Sequence, residues 1–186
     1  MDNNYIFQYW EGIQNGTVTV GKWIKTIYEI LVNGLKSGKW DFDEEKANKA
    51  INFIENFCHH SEGRNDLLKL ELWQKAIVSA IFGIMDKRTG YRQFREVFIV
   101  VARKNGKTLF AAAIAAYMAY IDGEYGAKVY FLAPKLDQAD LVYDAFYQIV
   151  QADDELESIT KKRRSDIYIK EFNTSVKKIA FNSNVT

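Results

Sequence analysis

Val97-Phe98-Ile99-Val100-Val101 is an apolar, mostly β-branched run with no polar alternation, and it leads directly into a glycine turn and an alanine-rich stretch over residues 109–121. A run of this kind fits a central strand covered on both faces. A second such run, Lys128–Ala133, follows the alanine-rich stretch. Residues 136–150 then return to helical spacing through Ala139, Val142, Ala145, Phe146 and Ile149. Strand, helix, strand, helix predicts an α/β fold with a parallel central sheet and crossover helices. Residues 166–172 and 176–181 add two more candidate strands, joined through Asn173-Thr174-Ser175 as a hairpin.

The front of the chain has a different period. Val20, Trp23, Ile24, Ile27, Tyr28, Leu31 and Leu35 recur at the spacing of one helix face, and Gly34 and Gly38 punctuate it. Asp41 or Asp43 as N-cap, Glu44 and Glu45 in the first turn, and a stripe of Ala47, Ala50, Ile51, Ile54 and Phe57 predict a second helix ending near Cys58. After a polar stretch from His59 to Asn65, Leu72, Trp73, Ala76, Ile77, Ala80, Ile81 and Met85 predict a third. The aromatic start, Tyr5, Phe7, Tyr9 and Trp10, is expected to dock on these helices rather than to stack on bases.

Composition narrows the function classes. A 48% hydrophobic chain of 186 residues can bury a sizeable core, and a net charge of +1 demands no polyanionic partner. One cysteine, Cys58, excludes an internal disulfide framework, and the polar start carries no signal peptide, so an intracellular protein is expected. The longest uncharged apolar run, residues 109–121, falls short of the roughly 20 residues of a membrane span, so no membrane role is expected. Cys58, His59 and His60 are the only Cys and His residues, too few for a zinc site.

Chemistry concentrates in Val101-Ala102-Arg103-Lys104-Asn105-Gly106-Lys107-Thr108, which closes the first predicted strand and opens the alanine-rich helix. A phosphate loop uses backbone N–H groups at a helix N-terminus to cradle phosphate oxygens, a lysine to reach the outer phosphates, and a hydroxyl to hold Mg²⁺. Gly106, Lys107 and Thr108 fill those places, and Arg103 and Lys104 add positive charge. The loop departs from the usual P-loop pattern at its first position, where Val101 stands in place of glycine.

With these residues in hand, the chain resembles the large terminase subunits of tailed phages, whose P-loop also lacks the first glycine and reads Arg-Lys-Asn-Gly-Lys before Ser or Thr. The likeness covers about residues 17 to 183. It includes Phe42-Asp43-Glu44-Glu45, Ala50-Ile51-Asn52-Phe53, Leu72-Trp73-Gln74, Phe94-Arg95, residues 130–135 and Asp137-Gln138-Ala139. The resemblance implies a partial P-loop ATPase preceded by a helical N-terminal region, with residues 1–66 as the lead-in and 67–186 as an incomplete ATPase domain. It implies ATP and Mg²⁺ as ligands. Arg103, Lys104, Asn105, Gly106, Lys107 and Thr108 would hold phosphate, the Thr108 hydroxyl would bind the metal, Gln74 would meet the adenine edge, and Trp73 would pack beside it.

The family's motor pumps duplex DNA into a procapsid with the small terminase subunit and the portal as partners. Homo-oligomeric action in the bacterial cytoplasm is expected with it. Its acidic strand-end pair and its nuclease domain are expected to lie outside these 186 residues, so no catalytic residue is assigned here and activity alone is not expected. A DNA helicase or translocase segment, or an assembly module with a vestigial ATPase half, are the alternatives. Asp153-Asp154-Glu155 follows an apolar stretch but reads as a solvated helix end, and Asp166 and Glu171 have no stronger claim as a catalytic pair. Lys161-Lys162-Arg163-Arg164 reads as a solvated basic turn.

Overall fold

The computed structural model describes residues 4–60, 63, 64 and 66–181; Asn65, the end of the predicted polar stretch, lies outside them. Two compact units divide the chain. One holds residues through Asn52 together with Lys69–Ile99, and the other holds Phe53–Leu68 and the chain from Val100 onward.

The first unit contains α1 (Tyr5–Gln14), α2 (Lys22–Lys36), β1 (Asp41–Phe42), the front of α3 (Glu44–Phe57), α4 (Leu72–Gly83) and β2 (Ile84–Met85). Asn4 starts α1 by accepting a hydrogen bond from the Ile6 N–H at 3.0 Å. Ile6, Tyr9, Trp10 and Ile13, at helical spacing, then turn inward against Tyr28, Leu31 and Val32 of α2. Tyr9 and Tyr28 meet edge to face at 4.7 Å between centroids. The aromatic start is therefore core, as expected of docking. Asp43, rather than Asp41, caps α3 by accepting from the Lys46 N–H at 3.0 Å. Asp41 lies instead in β1, paired antiparallel with Met85 of β2. The third predicted helix accordingly stops at Gly83, two residues before Met85, where a Cβ would run into Phe42 and Ala47.

The second unit contains α5 (Lys107–Tyr120), β3 (Lys128–Ala133), α6 (Leu136–Gln151), α7 (Asp154–Ile159), β4 (Thr160–Lys162), β5 (Ile167–Ile169) and β6 (Thr174–Ala180). Its sheet runs β3-β6-β5-β4 and is mixed. β3 and β6 are parallel, with Tyr130 beside Lys177, while β5 pairs antiparallel with both β6 and β4. The predicted tail hairpin is β5 and β6, turned through Asn173, whose φ of +51° is the left-handed conformation that asparagine tolerates. Tyr120 and Phe131 pack on Phe146 of α6, and Ile167, Ile169 and Val176 are buried in the same layer. The α/β class with a helical front holds.

The two strands expected to be fully buried differ from expectation. Residues 97–101 form no strand, and Phe98 is 92% exposed. A central strand needs ladder partners on its edges, and among the described residues none pairs with this run. β3 is half-buried on one face and exposed on the other. Phe131 points to Tyr143 and Phe146, so Tyr130 and Leu132 point away and stay open to solvent. The stripe of α2 is likewise only half used, because Tyr28, Leu31 and Val32 are buried while Trp23, Ile24 and Ile27 are exposed.

Candidate phosphate-binding site

Residues 102–106 form an exposed turn that delivers the chain into α5. Lys104 has φ +67° and Gly106 has φ +65°, two left-handed residues separated only by Asn105. The conformation is free for glycine but costs a lysine roughly 1 kcal/mol, and alternation of this kind turns successive backbone N–H groups toward a common concavity suited to an anion. Asn105 braces the turn. Its side-chain amide nitrogen donates to the carbonyls of Ala102 at 3.3 Å and Arg103 at 3.2 Å, so it acts on the loop's own backbone.

Gly106 is the N-cap of α5 and brings no side-chain cap, and the first helical turn contains no acidic residue. The N–H groups that open a helix lack intrahelical partners and carry the positive end of its dipole. Here neither a cap nor a carboxylate of the first turn satisfies them. Lys107 is exposed on that turn and Thr108 is half-buried beside it. From Phe110 onward α5 sinks into the unit through Ala112, Ala113, Ala115, Ala116 and Ala119, small residues that let it lie close to α6. The exposed start of α5 is thus carried by a buried shaft. Arg103, Lys104, Asn105, Gly106, Lys107 and Thr108 all belong to this one structure.

Trp73 and Gln74 belong to the first unit. Gln74 is buried at the start of α4, where its side-chain oxygen accepts from the Glu71 N–H at 2.8 Å and completes a capping box with Glu71. Trp73 is partly buried against the core that contains Ile6 and Trp10. Both have structural work in that unit.

The acidic stretch after α6 is also structural. Asp153 caps α7 by accepting from the Glu155 and Leu156 N–H groups, each at 3.0 Å. It therefore begins a new helix instead of ending a solvated one. The basic run is a strand and its turn rather than a free turn. Lys162 of β4 lies 3.9 Å from the Tyr147 ring centroid, and Arg163 holds the buried Asp166 through two bonds of 2.6 and 2.5 Å. The Arg163 guanidinium keeps the Asp166 carboxyl below the ordinary carboxylate range despite the opposing effect of burial.

A family model for the terminase large subunit ATPase domain matches residues 72–185. The chain belongs to that family. Among solved structures, the HK97 bacteriophage large terminase is similar at a TM-score of 0.64 and 24% sequence identity, over 76% of this chain and 28% of that one. At that identity the likeness bears on the fold, and the chain spans little more than a quarter of that terminase. No curated relative matches the chain. The matched ATPase-domain segment contains α4, the turn before α5, the whole of α5 and the sheet, so both that turn and Trp73-Gln74 fall within it. No helix is long and apolar enough to cross a membrane among the described residues.

Proposed function

We propose that this chain is the ATP-binding part of a terminase large subunit, the motor that packages duplex DNA into phage procapsids. The observation that carries the reading is the start of α5: an exposed turn with left-handed Lys104 and Gly106, no side-chain cap and no first-turn acid, inside a terminase ATPase domain. In this reading the backbone N–H groups of the turn and Lys107 hold the β- and γ-phosphates, and Arg103 and Lys104 supply further charge. Asn105 keeps the turn in shape from behind. Trp73 and Gln74 serve the adenine, with Gln74 donating through its amide nitrogen because its oxygen is engaged by Glu71.

Magnesium fits as a companion of the nucleotide. Thr108 offers one hydroxyl and the first turn of α5 offers no carboxylate, so most of the remaining ligands would come from phosphate and water, as Mg²⁺ prefers. When bound, the ion neutralises charge on the outer phosphates. We assign the ATP-binding role to residues 67–186 and a supporting role to the helical residues 1–66, with duplex DNA, the small terminase subunit, the portal and further copies of the chain as partners in the bacterial cytoplasm. Neither Asp153, committed to α7, nor Asp166, committed to Arg163, is placed to orient an attacking water.

Equilibrium binding of Mg-ATP, with phosphate release followed in the same samples, tests the proposal. Saturable binding without turnover above background is expected. Absence of binding at millimolar ATP would overturn it, and turnover lost in Glu155→Ala would show that the acidic stretch has a catalytic part.

A further inference from the structure

We propose that the open face of the β3-β6-β5-β4 sheet binds a single-stranded nucleic acid, with Lys128, Lys161 and Lys177 on its phosphates and the Tyr130 ring under a base. The surface is distinct from the start of α5, and its argument does not rest on the nucleotide reading. The four strands contain five lysines and no Asp or Glu. Alternation sorts them. Lys162 and Lys178 turn to the α6 side, where they meet the Tyr147 ring and Asp140, so Lys161 and Lys177 fall on the other face. Lys128 joins them there, because Phe131 of the same strand points to α6. The register then lines these residues up: Lys128 pairs with Ser175, Ser175 with Tyr168, and Tyr168 with Lys161, one row across all four strands. Three strand gaps make that row about 14 Å long. In the next row Tyr130, 49% exposed, lies beside Lys177. Tyr168 is held in place by Arg163, stacked 4.1 Å from its ring centroid, and by its hydroxyl, which donates to Asn173 at 2.9 Å.

Charge and chemistry together select the occupant. Residues 160–181 hold seven Lys and Arg against only Asp166 and Glu171, in a chain whose net charge is +1. Asp166 is engaged by Arg163, and Glu171 follows Lys170 in the turn after β5. Among the described residues no ion pair engages Lys128 or Lys161. The loop before β3 brings Asp122 and Glu124 toward the Lys128 end, so the path for phosphates runs inward over Lys177 and Lys161. A second copy of this face would set lysine against lysine. An anionic membrane or an acidic peptide matches the lysines but makes no use of an open aromatic ring among them, whereas every base offers a π-face to stack on it. A duplex keeps its bases stacked inside and presents only its phosphates to a sheet lying face-on. An unpaired strand presents phosphates and bases together, which is what the row of lysines and the Tyr130 ring receive.

Fluorescence anisotropy of a labelled oligo(dT) of about ten nucleotides, titrated with the full 186-residue chain, tests the assignment. Saturable binding is expected at about 50 mM salt, with a log–log salt slope of about −2 for three lysines on phosphates. Lys128→Ala, Lys161→Ala and Lys177→Ala should each weaken binding about three- to fivefold and take about 0.7 from that slope. Tyr130→Thr, which keeps a β-branched residue in the strand, should weaken binding about tenfold and leave the slope unchanged. None of the four positions is in the core, so the unfolding midpoint and Mg-ATP affinity should stay at their parent values. Lys25→Ala on α2 and Lys107→Ala in α5 should leave oligonucleotide binding unchanged, which separates this face from the nucleotide reading. Absence of saturable binding at low salt overturns the proposal. So does an oligo(dT)–oligo(dA) duplex bound as tightly as the single strand, competition by polyglutamate or anionic vesicles equal to that of unlabelled oligo(dT), or a Tyr130→Thr chain that binds like the parent. Binding lost in Lys107→Ala and kept in Lys161→Ala would move the contact to α5 and overturn it as well.

Discussion

At the scale of single residues, the turn that opens α5 depends on conformation more than on contacts. An added Cβ at Gly106 would meet nothing within 4 Å, so Gly106→Ala creates no clash and its cost is the φ of +65° alone. That is about 1 kcal/mol for a residue with a side chain. Gly106→Ala should therefore fold with a slightly lower denaturation midpoint, while Mg-ATP affinity falls by roughly fivefold as the loop drifts from its cradle shape; isothermal titration reads the loss, and unaltered affinity would show that the left-handed turn is not needed. Asp166 gives a pH-dependent prediction. Its folded carboxyl titrates below its ordinary 3.8, so the stability it contributes is present above that value and is lost as pH falls through the lower folded one. Arg163→Ala, which leaves the buried Asp166 unpaired, should lower the thermal midpoint at pH 7. Once Asp166 is protonated in acid, that difference should shrink; a midpoint gap constant from pH 7 to pH 3 would contradict the assignment.

At the scale of elements, packing decides where propensity is silent. Gly34 lies inside α2, where a glycine normally weakens a helix, but its missing side chain is the space that Trp40 fills. Gly34→Ala would push Cβ into the buried indole and should destabilise the first unit by about 1–3 kcal/mol despite the better helix propensity of alanine, as read from the urea midpoint. A stabilised protein would mean that Trp40 can move aside freely. The helices were largely legible in the sequence: α2, α3 and α6 follow their apolar spacing, and Asp43 and the two glutamates after it mark the start of α3. The α1 helix was harder to see. Four aromatic residues among its first six obscure the Ile6, Tyr9, Trp10, Ile13 period, although Asn4 as a cap was there to be read. The strands were legible as strands only where partners exist. Val97-Phe98-Ile99-Val100-Val101 has the composition of a central strand, but composition cannot provide the neighbouring backbone. The exposure of Tyr130 and Leu132 depends on whether a second layer covers β3, which the run itself does not encode.

Over the whole molecule, the candidate site was readable to different depths in its parts. Arg103 to Thr108 could be proposed from sequence because the features involved are local: a turn, a glycine and a helix start lie within eight residues of chain, and all of them are present at the head of α5. For Trp73 the packing comes from tertiary surroundings in the first unit, whereas the Gln74 cap is local, made with the Glu71 N–H three residues back. The measurement that tests the central claim most directly is a comparison of two ligands on one substitution. Lys107→Ala should weaken Mg-ATP by roughly 10- to 100-fold, the loss of a charge-assisted interaction of about 1.5–3 kcal/mol, and leave adenosine affinity within about twofold. Equal losses for ATP and adenosine, or no loss for ATP, would contradict a phosphate-binding role for the start of α5.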